Sequence, residues 1–208
     1  RSSGYRSVKS FNFESEEIRK VIRRYEGKIL DVACGHGLVS APLIEEGRDL
    51  FGLDYNEIAV ESAKTRGVKA MRGDAFNMQI DADTYDVVLT TEFIQQYDPQ
   101  ESQKLVRECV RVAKPGGVVI IIWRNGFSLM RQVITKSLRF IDWIKGRPTL
   151  KLYDHEFDTV VGWLKPGSVE VAESLSISPI LGVAVPGRKS LKARILGTSY
   201  LVVLRKVK

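Results

Sequence analysis

The sequence of 208 residues predicts an α/β fold in which a mostly parallel, seven-stranded sheet carries helices on both faces and ends in an antiparallel strand pair. Three observations predict it. Short apolar runs alternate with segments of helical periodicity, the pattern of strand–helix–strand units joined by right-handed crossovers. The run Val118 to Trp123 is apolar throughout, as a central strand covered on both faces must be. The run Lys28 to Val32 opens into Ala33-Cys34-Gly35-His36-Gly37, whose alternating glycines suit a sharp turn from a buried strand into a helix.

Taken in order, Ser15 reads as the cap of a first helix, with Glu16 and Glu17 at its positive end and Ile18, Val21, Ile22 and Tyr25 as its apolar stripe. Strand one is Lys28 to Val32, and a helix covers about Leu38 to Glu46. Strand two is Leu50 to Leu53, followed by a helix from Asn56 to about Thr65 and strand three from Val68 to Met71. The β-branched run Asp86 to Thr90 is strand four. Asp98-Pro99-Gln100-Glu101 then combines cap, N1 proline and capping-box glutamate at the start of a helix that ends at Lys114-Pro115-Gly116-Gly117. Val118 to Trp123 is strand five. Val169 to Ile177 and Thr198 to Val203 are strand-like with no helix pattern between them, which predicts the antiparallel pair. We expect one domain over 1–208, with a helical extension over 1–26 and a helical insert or cap over 125–165.

Ligands of such sheets bind outside the carboxyl ends of the strands. There the sequence places Asp31, the glycine loop and, after strand two, Asp54, where a ribose would lie. A dinucleotide loop would read Gly-x-Gly-x-x-Gly with its helix facing a pyrophosphate, but position 40 is Ser. Asp31 beside the loop suits a ligand bearing an ammonium and a sulfonium and repels a pyrophosphate. Asp31-x-x-Cys34-Gly35-x-Gly37 resembles the first motif of the class I S-adenosylmethionine-dependent methyltransferases, of the methyltransferase type 11 kind, whose Rossmann-like fold also ends in an antiparallel strand pair. The resemblance implies S-adenosylmethionine as cofactor and S-adenosylhomocysteine as its product. It implies contacts from Asp31, Ala33, Gly35 and Gly37 to the methionine portion and from Asp54 to the ribose, the alternative for Asp54 being a cap of the following helix. It further places Tyr55 beside the adenosine, Asp74, Ala75 and Phe76 at the adenine, and Thr90 beside the methionine.

Methyl transfer needs alignment above all, and a base only where the nucleophile carries a tightly held proton. Candidates are Glu92, Gln95, Gln96 and Tyr97 after strand four, Arg124 and Asn125 after strand five, and His36 and His155; Glu92, Tyr97 and Arg124 are the chosen acceptor-site residues. His36 lies in the cofactor loop with no chemical role, and His155 reads as a surface or capping residue. No Asn-Pro-Pro-aromatic tetrapeptide follows strand four, no Pro-Cys pair is present, and no lysine ends strands four or five. These absences disfavour amino methylation of adenine or glutamine, cytosine C5 methylation and ribose 2′-hydroxyl methylation, leaving small or lipid-like acceptors.

Cys34 to Leu43, Asp98-Pro99-Gln100 and Arg124 to Met130 are similar to segments of the ubiquinone-biosynthesis O-methyltransferases, which place a membrane-associating insert after strand five. Phe127, Met130, Ile134, Leu138, Ile141 and Ile144 line one helical face, opposite Arg131, Lys136 and Arg139. That helix either meets an anionic membrane or covers the sheet. The chain departs from the family where Gln95 and Gln96 replace metal-associated acidic and histidine residues, so no metal is expected. Thirty-two basic against twenty-five acidic residues give +7, concentrated in the second half: from Pro186 onward there is no acidic residue. Peripheral contact with an anionic membrane is one reading of that excess, and nucleic acid a less favoured partner. RNA or protein methylation, or a cofactor-binding lipid-surface module without turnover, are the alternatives. Two cysteines and no apolar run of membrane-spanning length suggest a cytoplasmic location.

Overall fold

The structure, a computed structural model, describes residues 8–129, 132–133, 136, 152–178, 182–187, 195 and 197–207. Eight strands form one sheet: β1 (Ile29–Val32), β2 (Leu50–Asp54), β3 (Lys69–Arg72), β4 (Tyr85–Thr91), β5 (Ala113–Arg124), β6 (Val169–Ser178), β7 (Val183–Pro186) and β8 (Ser199–Lys206). Their order is β3-β2-β1-β4-β5-β8-β6-β7. The first five are mutually parallel, and β8, β6 and β7 each run antiparallel to their neighbours. The eighth strand corrects the expected seven. β7 is four residues between Gly182 and Gly187, both at positive φ, and so short an edge strand carries no periodicity of its own.

Chain order reverses between β1 and β4, so a crevice opens at their carboxyl ends. The two faces of the sheet are covered by different helices. Leu30, Val32, Val88, Val119, Ile121 and Trp123 point into one core with Leu105, Val106 and Cys109 of α4 (Pro99–Val112) and Phe157 and Val160 of α5 (Phe157–Gly162). Ile29, Val87, Leu89, Val118, Ile120 and Ile122 point into the other, with α1 (Val8–Ile22), α2 (Ala41–Glu45) and α3 (Glu57–Lys64). The apolar run Val118 to Trp123 alternates between two dry cores, which is why it shows no polar face.

The local signals hold at α4, where the Asp98 carboxylate accepts from the N–H groups of Gln100 and Glu101 and Pro99 occupies N1. The helix ends at Val112, and β5 begins at Ala113 in pairing with Tyr85, before the expected Pro-Gly-Gly terminator. The first helix corrects the cap reading: Ser15 lies inside α1 and is buried. Glu16 and Glu17 pair with Arg19, Arg23 and Lys20 along the helix, so ion pairs rather than a helix terminus explain them. The predicted helix from Leu38 shortens to five residues, because the chain from His36 to Ser40 is still turning out of the glycine loop.

Candidate functional site

Five strand ends build the site. Asp31 is the third residue of β1 and is wholly buried, its Oδ2 accepting from the Ser40 hydroxyl. Its Oδ1 has no partner among the described residues. Burial, together with the nearby Asp54 carboxylate, pushes the Asp31 carboxyl up to about 7, and the Ser40 bond only partly offsets this. The chain then turns with Ala33, Gly35 and Gly37 all in the left-handed region, at φ 59°, 53° and 72°. Ala33 adopts it despite its Cβ, a cost of about 1–3 kcal/mol that the surrounding fold must hold. A Cβ on Gly37 would press on Val68 at 3.0 Å, and one on Gly52 would meet the Cys34 sulfur at 2.7 Å, so the loop lies close against β2. Burial raises the Cys34 thiol, which therefore stays protonated and inert.

Asp54 ends β2 and bridges the two loops. Its Oδ2 accepts from the Gly35 N–H and its Oδ1 from the Asn56 N–H, both at 2.8 Å. The cap of α3 is Asn56, whose side chain accepts from Ile58 and Ala59. Asp54 is therefore not that helix's cap. Beyond β3, Asp74 accepts from the Phe76 N–H at 2.8 Å in an Asx turn. A cavity of about 280 Å³ is lined by Ala33, Leu53, Asp54, Tyr55, Asp74, Ala75, Phe76, Phe93 and Tyr97. The rings of Phe76, Phe93 and Tyr97 form a mutually tilted or edge-on triad at 4.8–6.3 Å. Six of the ten predicted cofactor residues thus line one space. Asp31, Gly35 and Gly37 are not in that lining, and Thr90 is buried near the end of β4, its hydroxyl without a partner among the described residues.

The acceptor candidates divide. Tyr97 lines the same cavity as Asp54 and Asp74; burial and nearby carboxylates raise its hydroxyl, which leaves it a donor and no base. Glu92 sits just past β4 at φ 52°, its N–H on Ile122 O and its carboxylate accepting from Gln95 at 2.7 Å. A non-glycine residue held left-handed costs about 1–3 kcal/mol, and here that strain falls at a strand's carboxyl end. Arg124 ends β5, buried, with Nη2 donating to Asp154 at 2.6 Å. Asn125 is spent on the turn out of β5, donating to Gly197 O and accepting from Phe127 N–H.

His155 corrects the surface reading: it is 3 % exposed. Its Nε2 faces the carbonyls of Ile94 and Tyr97 and the hydroxyl of Ser102 at 3.1–3.2 Å, so Nε2 carries the proton and donates. Sequence reasoning also missed Phe93; aromatics at 93 and 97 bracketing a short 3₁₀ turn were the available signal. Of the predicted insert, the face from Met130 to Ile144 lies outside the described residues, while Phe127, Leu129 and Val133 are exposed.

Residues 30–121 match a family model described as a methyltransferase domain. That match spans less than half of the chain. It is 34% identical over 96 residues to the phthiotriol/phenolphthiotriol dimycocerosates methyltransferase of Mycobacterium tuberculosis, covering 43% of this chain and 35% of that one. It is 32% identical over 130 residues to the ubiquinone biosynthesis O-methyltransferase of Pectobacterium carotovorum, covering 55% and 52%. The chain thus spans about a third to a half of these relatives' lengths. Among solved structures, an S-adenosylmethionine-dependent methyltransferase from Methanosarcina mazei superposes with a TM-score of 0.69 at 17% identity, covering 90% of this chain and 97% of that one. A magnesium protoporphyrin IX methyltransferase from Synechocystis with bound S-adenosylhomocysteine gives 0.68 at 15%, covering 99% and 90%. At those identities the likeness is one of fold. Among the described residues no helix is long and apolar enough to cross a membrane.

Proposed function

We propose that the protein transfers a methyl group from S-adenosylmethionine to a small or amphiphilic acceptor. The observation that carries this reading is the pair of carboxylates, Asp31 and Asp54, on adjacent strand ends around a left-handed loop, with one buried Asp31 oxygen unpartnered. Two carboxylates and an unsatisfied acceptor suit an ammonium and a ribose and repel a pyrophosphate. When bound, the cofactor supplies a methyl already activated by its sulfonium.

The chain's own residues do the rest. Asp31 would face the ammonium, the backbone of Ala33, Gly35 and Gly37 would approach the methionine portion, and Thr90 would lie beside it. Asp54 holds two lone-pair directions beyond those taken by Gly35 and Asn56, and would accept the ribose hydroxyls there. Asp74, Ala75 and Phe76 would meet the adenine, with Tyr55, Phe93 and Tyr97 completing an apolar wall that excludes water. Positioning of this kind supplies about 7–11 kcal/mol of barrier lowering. Glu92 would take a proton from the acceptor directly or through one water, and Arg124 would orient it. The names of the phthiotriol and ubiquinone relatives support an amphiphilic acceptor, and the exposed Phe127, Leu129 and Val133 support its approach from an apolar surface.

The direct test is thermal unfolding with S-adenosylhomocysteine or NAD. Ligand at 100 times its dissociation constant adds about 2.7 kcal/mol, which at roughly 2–4 °C per kcal/mol raises the midpoint by several degrees. S-adenosylhomocysteine should shift the midpoint and NAD should not; the reverse pattern would overturn the reading.

Asp31 adds a pH signature. Its folded value lies above the ordinary 3.8, so the apo protein holds a proton there that the unfolded chain releases between about pH 4 and 7. Raised acids favour the folded state at low pH, and that contribution fades as pH rises through 7. An ammonium needs the ionised form. Affinity for S-adenosylhomocysteine should therefore rise by up to about tenfold per unit from pH 5 to 7 and then level off. Titration calorimetry in buffers of differing ionisation enthalpy should show a proton released on binding at pH 6, and Asp31→Asn should abolish the release. A flat profile in the wild-type protein would mean that Asp31 does not meet the ammonium.

A further inference from the structure

Three consecutive residues of the segment leading into α5 tie the acceptor end of the sheet together. The Tyr153 N–H donates to Gln95 O, Asp154 pairs with Arg124, and His155 clamps the carbonyls of Ile94 and Tyr97 while its own carbonyl accepts from the Trp123 indole. The Asp154 carboxylate is seated against the backbone at Gly126, where a Cβ would fall 1.9 Å from its Cγ. Gly126 has an ordinary backbone conformation, so glycine is needed there for space alone.

The seat is only half used. A guanidinium presents Nε and Nη2 side by side, a fork that takes both oxygens of a carboxylate. Arg23 shows the filled form in this same chain, with Nε on one Glu46 oxygen at 2.9 Å and Nη2 on the other at 2.5 Å. Arg124 is different: Nη2 holds one Asp154 oxygen, while the adjacent Nε is buried with no partner among the described residues, in a side chain 9 % exposed. A buried donor left open costs about 1–3 kcal/mol. The other end of that contact is exposed, since the Asp154 side chain is 41 % accessible on a segment that borders the site. Close by, Gln95, whose carbonyl holds Tyr153, has a buried Oε1 with no partner among the described residues.

We propose that Arg124 is a carboxylate seat, and that the methyl acceptor carries a carboxylate that displaces Asp154 and fills the Nε–Nη2 fork. This rests on the methyltransferase reading above and adds the acceptor's chemical class. Asp154 holds the place until the acceptor arrives, and the Gly126 backbone leaves room for the exchange. The carboxylate is a handle that orients the acceptor; it need not be the atom methylated. The cofactor's own carboxylate is the competing source of the same chemistry. Arg124 lies on β5, separated by β4 from the β1 loop that would hold the methionine portion, which favours the acceptor.

The test titrates benzoate, benzamide and phenyl phosphate into the full chain saturated with S-adenosylhomocysteine. Benzoate should bind roughly tenfold or more tightly than benzamide, its neutral isostere. Asp154→Asn should tighten benzoate, and Arg124→Gln should weaken it by tenfold or more. Equal affinity for benzoate and benzamide, or no benzoate binding to the loaded protein, overturns the proposal even if Arg124→Gln fails to fold. Binding of phenyl phosphate alone overturns the carboxylate assignment, and weaker benzoate binding in Asp154→Asn overturns the displacement. If Arg124→Gln weakens S-adenosylhomocysteine itself and the loaded protein ignores benzoate, the cofactor owns the seat and the proposal fails. In that case S-adenosylhomocysteine still binds the wild-type protein, so the methyltransferase reading survives. Only absence of S-adenosylhomocysteine binding removes both.

Discussion

Replacing Asp54 by alanine should weaken S-adenosylhomocysteine binding by at least about 100-fold and remove the ligand-induced rise in the unfolding midpoint. Hydrogen bonds to a charged acceptor contribute about 1.5–3 kcal/mol each, and two ribose hydroxyls would be lost together. The variant should also be less stable without ligand, because the Gly35 and Asn56 N–H groups lose their acceptor. Loss of the Gly35 bond further frees the loop whose shape the methionine portion needs. Asp54→Asn keeps the size and one carbonyl acceptor, so its affinity should fall between wild type and alanine. Calorimetry on both variants separates the effects: an affinity within threefold of wild type for Asp54→Ala would show that the ribose does not lie there.

The second large effect is expected at Trp123. It is fully buried near the end of β5, with its ring 5.9 Å from Phe157 and 5.4 Å from Tyr200, and its indole N–H donates to His155 O at 2.9 Å. Trp123→Ala should cost about 3–5 kcal/mol, since a cavity of that size cannot close within a core formed by β5, β8 and α5. For a chain of this length that lowers the midpoint by about 6–20 °C. Trp123→Phe restores most of the volume but leaves the His155 carbonyl without its donor, at about 1–3 kcal/mol. Denaturant unfolding distinguishes the two contributions. A loss under 1 kcal/mol for Trp123→Ala would show that the segment before α5 does not depend on this side chain.

Most strands of the parallel half were legible because a largely apolar run in each, such as Ile29 to Val32 or Val118 to Trp123, is bounded by turn or cap residues. The Asp98-Pro99 start of α4 was equally local, since a cap and an N1 proline act within one turn. Ser15 misled for the same reason in reverse: a capping residue type followed by acids looks alike whether the helix begins there or runs through. The β7 strand was missed because its pairing with β6, and nothing in its own four residues, makes it a strand.

At the candidate site, residues that depend on backbone geometry or stand one per strand end could be placed in order: Asp31, Gly35 and Gly37 fall in or just after β1, and Asp54 and Asp74 at or after the ends of β2 and β3. By itself the sequence determined the parallel half of the sheet and the glycine loop after β1, because both depend on spacing along one or two adjacent elements. Only the tertiary structure decided what meets from far apart. His155 became a buried clamp on residues near 95, Asp154 came to rest on Arg124 and Gly126, and Tyr97 joined Phe76 and Phe93 on one wall. Such contacts depend on how the β4 and β5 ends and the segment before α5 converge. That convergence is set by packing in the shared core, which no local pattern of residues records.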